Sequence, residues 1–148
     1  CTAARRRAFR AEAMGLLREI SLDRFADRPA SCLSGGQARL LEMVRARALG
    51  AKLFLLDEPT AGVSPRMKDE VGNMILALQK AGCTILVIEH DMTFIQAFCD
   101  RIVVLDCGRV ILDGRPEEVR RSPELQELYF GAHAFGLPQS NGAAAVAV

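Results

Sequence analysis

The chain has 148 residues, half of them apolar and a quarter charged, and its 19 basic and 18 acidic side chains leave a net charge of +1. That is one domain's worth of chain, with enough apolar material for a core and a composition far from that of a disordered segment. Near-neutral charge gives no support to a dominant attraction to phosphate backbones, so nucleic acid is not an expected partner. The five cysteines show no CxxC and no paired metal spacing, the pattern of reduced thiols in a cytosolic protein. No apolar stretch approaches the roughly 20 residues that cross a bilayer. Any membrane role is expected to run through a partner. The chain opens on Cys1 with no signal-peptide pattern, and a partial polypeptide is the expectation.

Arg5 to Ile20 is rich in helix formers, with Phe9, Ala13, Leu16, Leu17 and Ile20 at helical spacing. Its arginines, Arg5, Arg6, Arg7 and Arg10, read as a solvated face. Residues 21–32 read as a loop with Pro29 as breaker. A helix over 37–49 follows, with Leu40, Leu41, Val44 and Ala48 as its apolar stripe and Gly50 at the stop. Leu53 to Leu56 is apolar at four successive positions, the pattern of a parallel strand buried on both faces. Ser64-Pro65 opens a helix in cap-then-proline order, lined by Met67, Val71, Met74, Ile75 and Leu78 and ended by Gly82. Thr84 to Ile88 is a second buried strand, and Asp91 caps a short helix carrying Phe94, Ile95 and Phe98. Ile102–Leu105 and Val110–Leu112 form a hairpin through Asp106-Cys107-Gly108-Arg109. Short helices are expected over 116–121 and 123–130, and a frayed tail from His133 onward. Alternating helices and buried strands argue an α/β parallel sheet.

Three groups of residues carry chemistry. Ser34, Gly35 and Gly36 stand at the start of the second helix, where unpaired N–H groups and a partial positive charge are worth roughly 0.3–1 kcal/mol per anion contact. Two glycines remove the side chains that would keep a phosphate from that backbone, and Ser34 adds a hydroxyl donor. The plainer alternative is a serine N-cap with flexible glycines. Asp57 and Glu58 close an apolar run 20 residues after Gln37. Carboxylates at the end of a parallel strand face the crevice where such sheets bind ligands, and a metal-holding acid beside a water-orienting one suits phosphoryl transfer. Acids that merely cap a turn are the alternative. His90 follows the second strand, 33 residues beyond Asp57, where its imidazole could donate to a phosphate and steady Glu58. Read alone, it is a loop residue. His133 is expected to be inert. Nowhere in the 148 residues does a phosphate-cradling GxxxxGK[ST] occur.

In this order Leu33-Ser34-Gly35-Gly36-Gln37, the run ending in Asp57-Glu58-Pro59 and the Ile88-Glu89-His90-Asp91 block resemble the C-terminal half of the ATPase domain of ATP-binding cassette (ABC) proteins: signature motif, Walker B strand and switch histidine. The resemblance spans residues 5 to 132. It implies a P-loop NTPase type of parallel sheet, part of the helical subdomain over 1–50, Walker B, switch histidine and the C-terminal core over 51–132, and a flexible tail over 133–148. It also implies that Ser34, Gly35, Gly36 and Gln37 close over ATP held by a second, head-to-tail ABC subunit, and that Asp57 holds Mg2+ through water. Glu58 would polarise the attacking water, with His90 as its catalytic partner. Ser64 stands in the inter-subunit loop where relatives carry Asp or Asn, and Arg115 where they often carry Thr. Glu58 to Gly62, Ile88 to Met92 and Leu125 to Gly131 look like the ATPase subunits of branched-chain amino acid importers, which act on membrane permease subunits from the inner, cytoplasmic face of the cell membrane. Urea and amide importers share much of this wording.

Two other readings compete. One is a non-catalytic module that offers only its signature face to an intact ATPase. The other is a DNA-repair or chromosome-maintenance ATPase half, against which stand the balanced charge and the lack of heptads over 1–32. Without a loop for the β- and γ-phosphates, the purified chain is expected neither to bind ATP tightly nor to hydrolyse it. Detectable turnover that Glu58→Gln abolishes would overturn that expectation.

Overall fold

The computed structural model describes residues 3–126 and 144–147. Helix α1 (Ala3–Glu19) leads through two short 3-10 turns, at Asp23–Phe25 and Ala30–Cys32, into α2 (Gly35–Ala48). Strand β1 (Leu53–Asp57), helix α3 (Pro65–Lys80), strand β2 (Thr84–Glu89) and helix α4 (Met92–Phe98) follow. The hairpin of β3 (Ile102–Asp106) and β4 (Arg109–Gly114) precedes the short helices α5 (Pro116–Arg121) and α6 (Pro123–Gln126), and β5 spans Ala144–Ala147. The sheet runs in the order β1-β2-β5-β3-β4. β1 and β2 are parallel, β5 pairs antiparallel with both β2 and β3, and β3 pairs antiparallel with β4. It is therefore mixed, although β1, β2 and β3 share one direction.

The helix ends follow their caps. Ser34 Oγ accepts from the Gln37 N–H while the Gln37 side chain accepts from the Ser34 N–H, and this reciprocal box starts α2 at Gly35, two residues earlier than the apolar stripe suggests. Ser64 caps α3 ahead of Pro65, and Asp91 caps α4 by accepting from Thr93 and Phe94. At the start of α5 Arg115 makes no side-chain cap, and the Glu118 carboxylate accepts from the Arg115 N–H at 2.9 Å. Cys107 (φ 47°) and Gly108 (φ 76°) make the left-handed two-residue turn of the hairpin.

The core lies on one side of the sheet. Leu40, Met43 and Val44 of α2 and Val71, Met74, Ile75 and Leu78 of α3 pack with Phe54, Ile85 and Val87. Ile95 of α4 and Val119 of α5 pack with Ile102 and Val104. α1 buries none of its residues and leaves Phe9 54% exposed, because only its C-terminal turn reaches this core. The expectation of two buried faces fails at β1, where Leu53 is 58% and Leu55 69% exposed. Alternating side chains point to opposite faces, and among the described residues the helices cover only the face that Phe54 shares. On β2 the same alternation buries Ile85 and Val87 and leaves Leu86 and Ile88 half-buried.

Two expectations meet the end of the chain. Of the helix predicted over 123–130, Pro123–Gln126 forms and the rest lies outside the described residues. Ala144–Ala147 is a strand inside the sheet where composition alone suggests a frayed tail. The reason is non-local: β2 and β3 each offer it an unpaired backbone edge, which no composition rule records.

Unfolding in urea should separate the two faces. Leu78→Ala, at a fully buried site on α3, is expected to cost about 2–5 kcal/mol. Leu55→Ala, on the open face, should stay within about 0.5 kcal/mol.

Candidate functional site

The C-terminal ends of β1 and β2 bring the acidic pair and the histidine together. Asp57 lies opposite Ile88 in the parallel register, and the Glu58 N–H donates to the Ile88 carbonyl at 2.9 Å. One residue beyond each strand end, His90 Nδ1 stands 3.5 Å from Glu58 Oε1. Both side chains are more than half exposed, at 68% for His90 and 54% for Glu58. Glu58 adopts φ +43°, a left-handed backbone that a non-glycine residue holds only when its surroundings fix it. Its carbonyl accepts from the Ala61 N–H, and Arg39 Nη1 of α2 donates to the carbonyls of both Asp57 and Glu58 at 3.2 Å. The turn that aims Glu58 is thus clamped from three directions.

The signature residues border a cleft of about 310 Å3, walled by Ser34, Gly35, Gly36 and Arg39 on one side and by Ala61, Gly62, Val63, Ser64 and Met67 on the other. Gly35 is exposed with open space where a Cβ would stand, as backbone contact with an anion requires. Gly36 is buried and glycine for another reason: a Cβ there would overlap Met67 and crowd Val63, so its bareness lets α2 approach α3. Ser34 uses its oxygen as the helix cap, which leaves its O–H free to donate; the N-cap and phosphate readings are compatible. Gln37 spends its side-chain oxygen on the same cap and keeps its amide NH2.

A second cleft of about 390 Å3 lies between the loop after β1 and the loop after β2, with Thr60, Gly62, Lys68, His90 and Asp91 among its walls. Two groups that the motif reading passes over, Glu89 beneath these loops and Lys68 in the wall of the cleft, tie the loops together. Glu89 is 1% exposed, and one oxygen of its carboxylate accepts from the Thr60 N–H at 2.8 Å and from Thr60 Oγ1 at 2.6 Å. Its other oxygen accepts from the His90 N–H at 3.3 Å. Glu89 therefore ties the segment after Glu58 to the segment that carries His90. Its only sequence signal is an acid at the inward position of an alternating strand. Lys68 donates to Asp91 at 2.5 Å, joining α3 to the cap of α4. That bond, helped by the Phe94 and Thr93 N–H groups, holds the Asp91 carboxyl below its ordinary value, and it raises the Lys68 ammonium in turn.

Asp57 extends from β1 on the open face, and among the described residues its carboxylate has no hydrogen-bond partner. A carboxylate free of such partners is chemically suited to Mg2+, which takes one or two protein acids and completes its shell with water and other oxygen ligands. No group of three or more His, Cys, Asp or Glu residues that could hold a metal occurs among the described residues, so those residues build no closed metal cage. The described cysteines, Cys32, Cys83, Cys99 and Cys107, are all free. Burial, with the charges of Asp100 and Glu89, pushes the Cys99 thiol up to about 11, which keeps it protonated near neutral pH. No described helix is long and apolar enough to cross a membrane.

Comparison with known proteins agrees with this geometry. Residues 2–61 match the ABC transporter family. A probable branched-chain amino acid transport ATP-binding protein, LivG, of Archaeoglobus fulgidus is 37% identical over 121 residues, covering 82% of this chain and 47% of that protein. The high-affinity branched-chain amino acid transport ATP-binding protein BraF of Pseudomonas aeruginosa is 38% identical over 116 residues, covering 78% and 46%. Among solved structures, the ADP conformation of MJ1267, an ATP-binding cassette of an ABC transporter, superposes with a TM-score of 0.71 at 35% identity, covering 80% of this chain and 48% of that one. The chain spans about half the length of the curated relatives it matches.

Replacing Thr60 by valine keeps the shape and removes the hydroxyl donor to a buried carboxylate. The expected cost is about 1–3 kcal/mol in urea unfolding, and an unchanged midpoint would remove Glu89 from the tie between the two loops. Motif order, the level ends of β1 and β2 and the superposition on solved cassettes converge on one family: the chain belongs to the ATP-binding cassette ATPases.

Proposed function

We propose that this chain provides the signature and Walker B half of the ATP-binding subunit of an importer, with branched-chain amino acids as its cargo. The observation that carries the reading is the approach of Glu58 to His90 at the ends of two parallel strands, within the same loop system that walls the signature cleft. The names of the relatives supply the cargo class. Membrane permease subunits and attachment at the inner, cytoplasmic face of the cell membrane follow from the same reading.

In this arrangement Ser34, Gly35 and Gln37 present a hydroxyl, a bare helix start and an amide to the terminal phosphate of ATP bound by a second, head-to-tail subunit. Gly36 fixes the angle of that helix. Glu58 accepts a hydrogen bond from the attacking water and orients it, while His90 holds the Glu58 carboxylate and donates toward the γ-phosphate. Mg2+ held by Asp57 would neutralise charge on the phosphate oxygens. Ser64, at the rim of the signature cleft, caps α3 and contributes to contact across the subunits. The absence of GxxxxGK[ST] from these 148 residues also favours a second reading, a module that lends its signature face to an intact ATPase without turning over ATP itself.

Both readings need the signature face to act on nucleotide held elsewhere. An excess of this chain should therefore tighten the apparent ATP affinity of MJ1267 roughly two- to fivefold, the scale of a helix start meeting an anion. Ser34→Arg, which places a bulky group in the cleft, should remove the effect. Unchanged affinity, or an equal effect of the variant, would overturn the signature role.

A further inference from the structure

Charge is unevenly placed along the chain. Residues 1–32 hold seven arginines and four acids, a net +3, whereas residues 33–148 carry −2. Such asymmetry within one chain points to an anionic surface as partner. Its densest part is α1, where Arg5, Arg6, Arg7 and Arg10 fall within six residues and the first acid is Glu12. Among the described residues Arg5, Arg6 and Arg7 meet no acid, and Arg10 pairs with Asp27 at an exposed site. Every residue from Ala3 to Ala13 is exposed, because the helix reaches the core only through Leu16 and Leu17. About three turns of helix therefore project from the body. At about 100° per residue, Arg5, Phe9, Arg6 and Arg10 share an arc of about 140°, with Arg7 about 60° beyond. The Arg5 guanidinium lies 5.4 Å from the centre of the Phe9 ring, which is itself more than half exposed. A solvated face accounts for the exposure. It does not account for charge of one sign around a bare aromatic, since a surface that serves only solubility mixes both signs.

We propose that the first three turns of α1 form a membrane-surface contact, in which Arg5, Arg6, Arg7 and Arg10 bind anionic lipid headgroups and Phe9 enters the boundary between headgroups and acyl chains. The proposal deepens, and rests on, the reading of the chain as a subunit that works at the cytoplasmic face of the cell membrane. Guanidinium groups suit this partner, since each can donate two parallel hydrogen bonds to one phosphate. A short basic helix with an exposed aromatic lies in the plane of the interface and does not cross it. Nucleic acid fits less well: between the arginines stand only alanine and phenylalanine, with no amide or hydroxyl to contact base or sugar. Four cations and one ring hold the surface weakly and reversibly. The contact therefore adds to attachment through permease subunits and does not replace it.

Flotation of the full chain with lipid vesicles tests this, with neither nucleotide nor permease present. Vesicles of phosphatidylcholine mixed with phosphatidylglycerol should carry the chain, and phosphatidylcholine alone should not. Arg5→Gln, Arg6→Gln and Arg7→Gln combined should weaken binding at least about tenfold, as should salt of about 0.5 M. Glutamine keeps the helix propensity, and these side chains touch no core, so the urea midpoint of the variant should not move. Phe9→Ala should weaken binding about two- to fivefold with the charge intact. Binding to neither vesicle, equal binding to both, or full binding by the triple variant overturns the proposal. So does a Phe9→Ala variant as tight as the parent, which would leave a charge attraction with nothing entering the bilayer. Duplex DNA that displaces the chain from anionic vesicles at equal phosphate would make the patch a general phosphate-backbone binder, and the proposal falls. If the triple variant is destabilised, the salt series on the parent decides, and binding that ignores salt overturns the contact. No ATP enters the assay, so failure here leaves the signature role untouched, and failure of that role leaves vesicle binding to be read by itself.

Discussion

Parallel pairing of β1 with β2 is the constraint on which the candidate site depends. A parallel ladder holds two strand ends level although the connection between them is long. Here it sets Asp57 against Ile88 and continues one bond further, from the Glu58 N–H to the Ile88 carbonyl. Glu58 and His90 come within 3.5 Å for that reason, with no direct contact needed to recruit either. A slip of one residue would turn every β2 side chain to the opposite face, placing the Glu89 carboxylate in solvent and the apolar face of the strand away from α3. The buried alternation of Phe54, Ile85 and Val87 against the helices therefore fixes the position of the acids.

On that frame, polar ties orient what the ladder only positions. A buried carboxylate such as Glu89 is costly unless it is fully hydrogen-bonded, and the two Thr60 donors and the His90 N–H meet that need. Such an arrangement specifies one geometry of the two loops more than it adds stability. Arg39 acts in the same sense from α2: by donating to two consecutive carbonyls it couples the signature helix to the turn at Glu58. The missing side chain of Gly36 permits that coupling by letting α2 settle against Met67. The signature cleft and the acid pair are thus parts of one packed unit.

Much of this was legible in the residues because local chemistry determines it. Ser34, Ser64 and Asp91 cap helices through bonds to groups two or three residues away, and Cys107-Gly108 makes a turn by its own backbone. The motif order likewise singled out Glu58 and His90, whose side chains the structure brings to 3.5 Å. What escaped was non-local. Arg39 reaches carbonyls 18 and 19 positions away, and Thr60 meets Glu89 across 29. No periodicity encodes such contacts. The four-residue apolar run of β1 led to the wrong burial because a run states which faces tolerate cover, and the cover itself must come from other elements. Ala144–Ala147 escaped for the converse reason, since its strand state is conferred by two edges far away in sequence.

The one-sided core bears directly on the chemistry. Asp57 alternates with Leu53 and Leu55, so the carboxylate suited to Mg2+ shares the face that the described helices leave uncovered. Glu58, turned by its left-handed backbone, instead stands with His90, and both remain more than half exposed. Preorganised charges act strongly only where water is excluded, because a high dielectric screens them. The same structural deficit therefore leaves apolar strand residues wet and the acid pair screened. Material that covers Leu53 and Leu55 would also lower the dielectric around Asp57, two residues further along the strand.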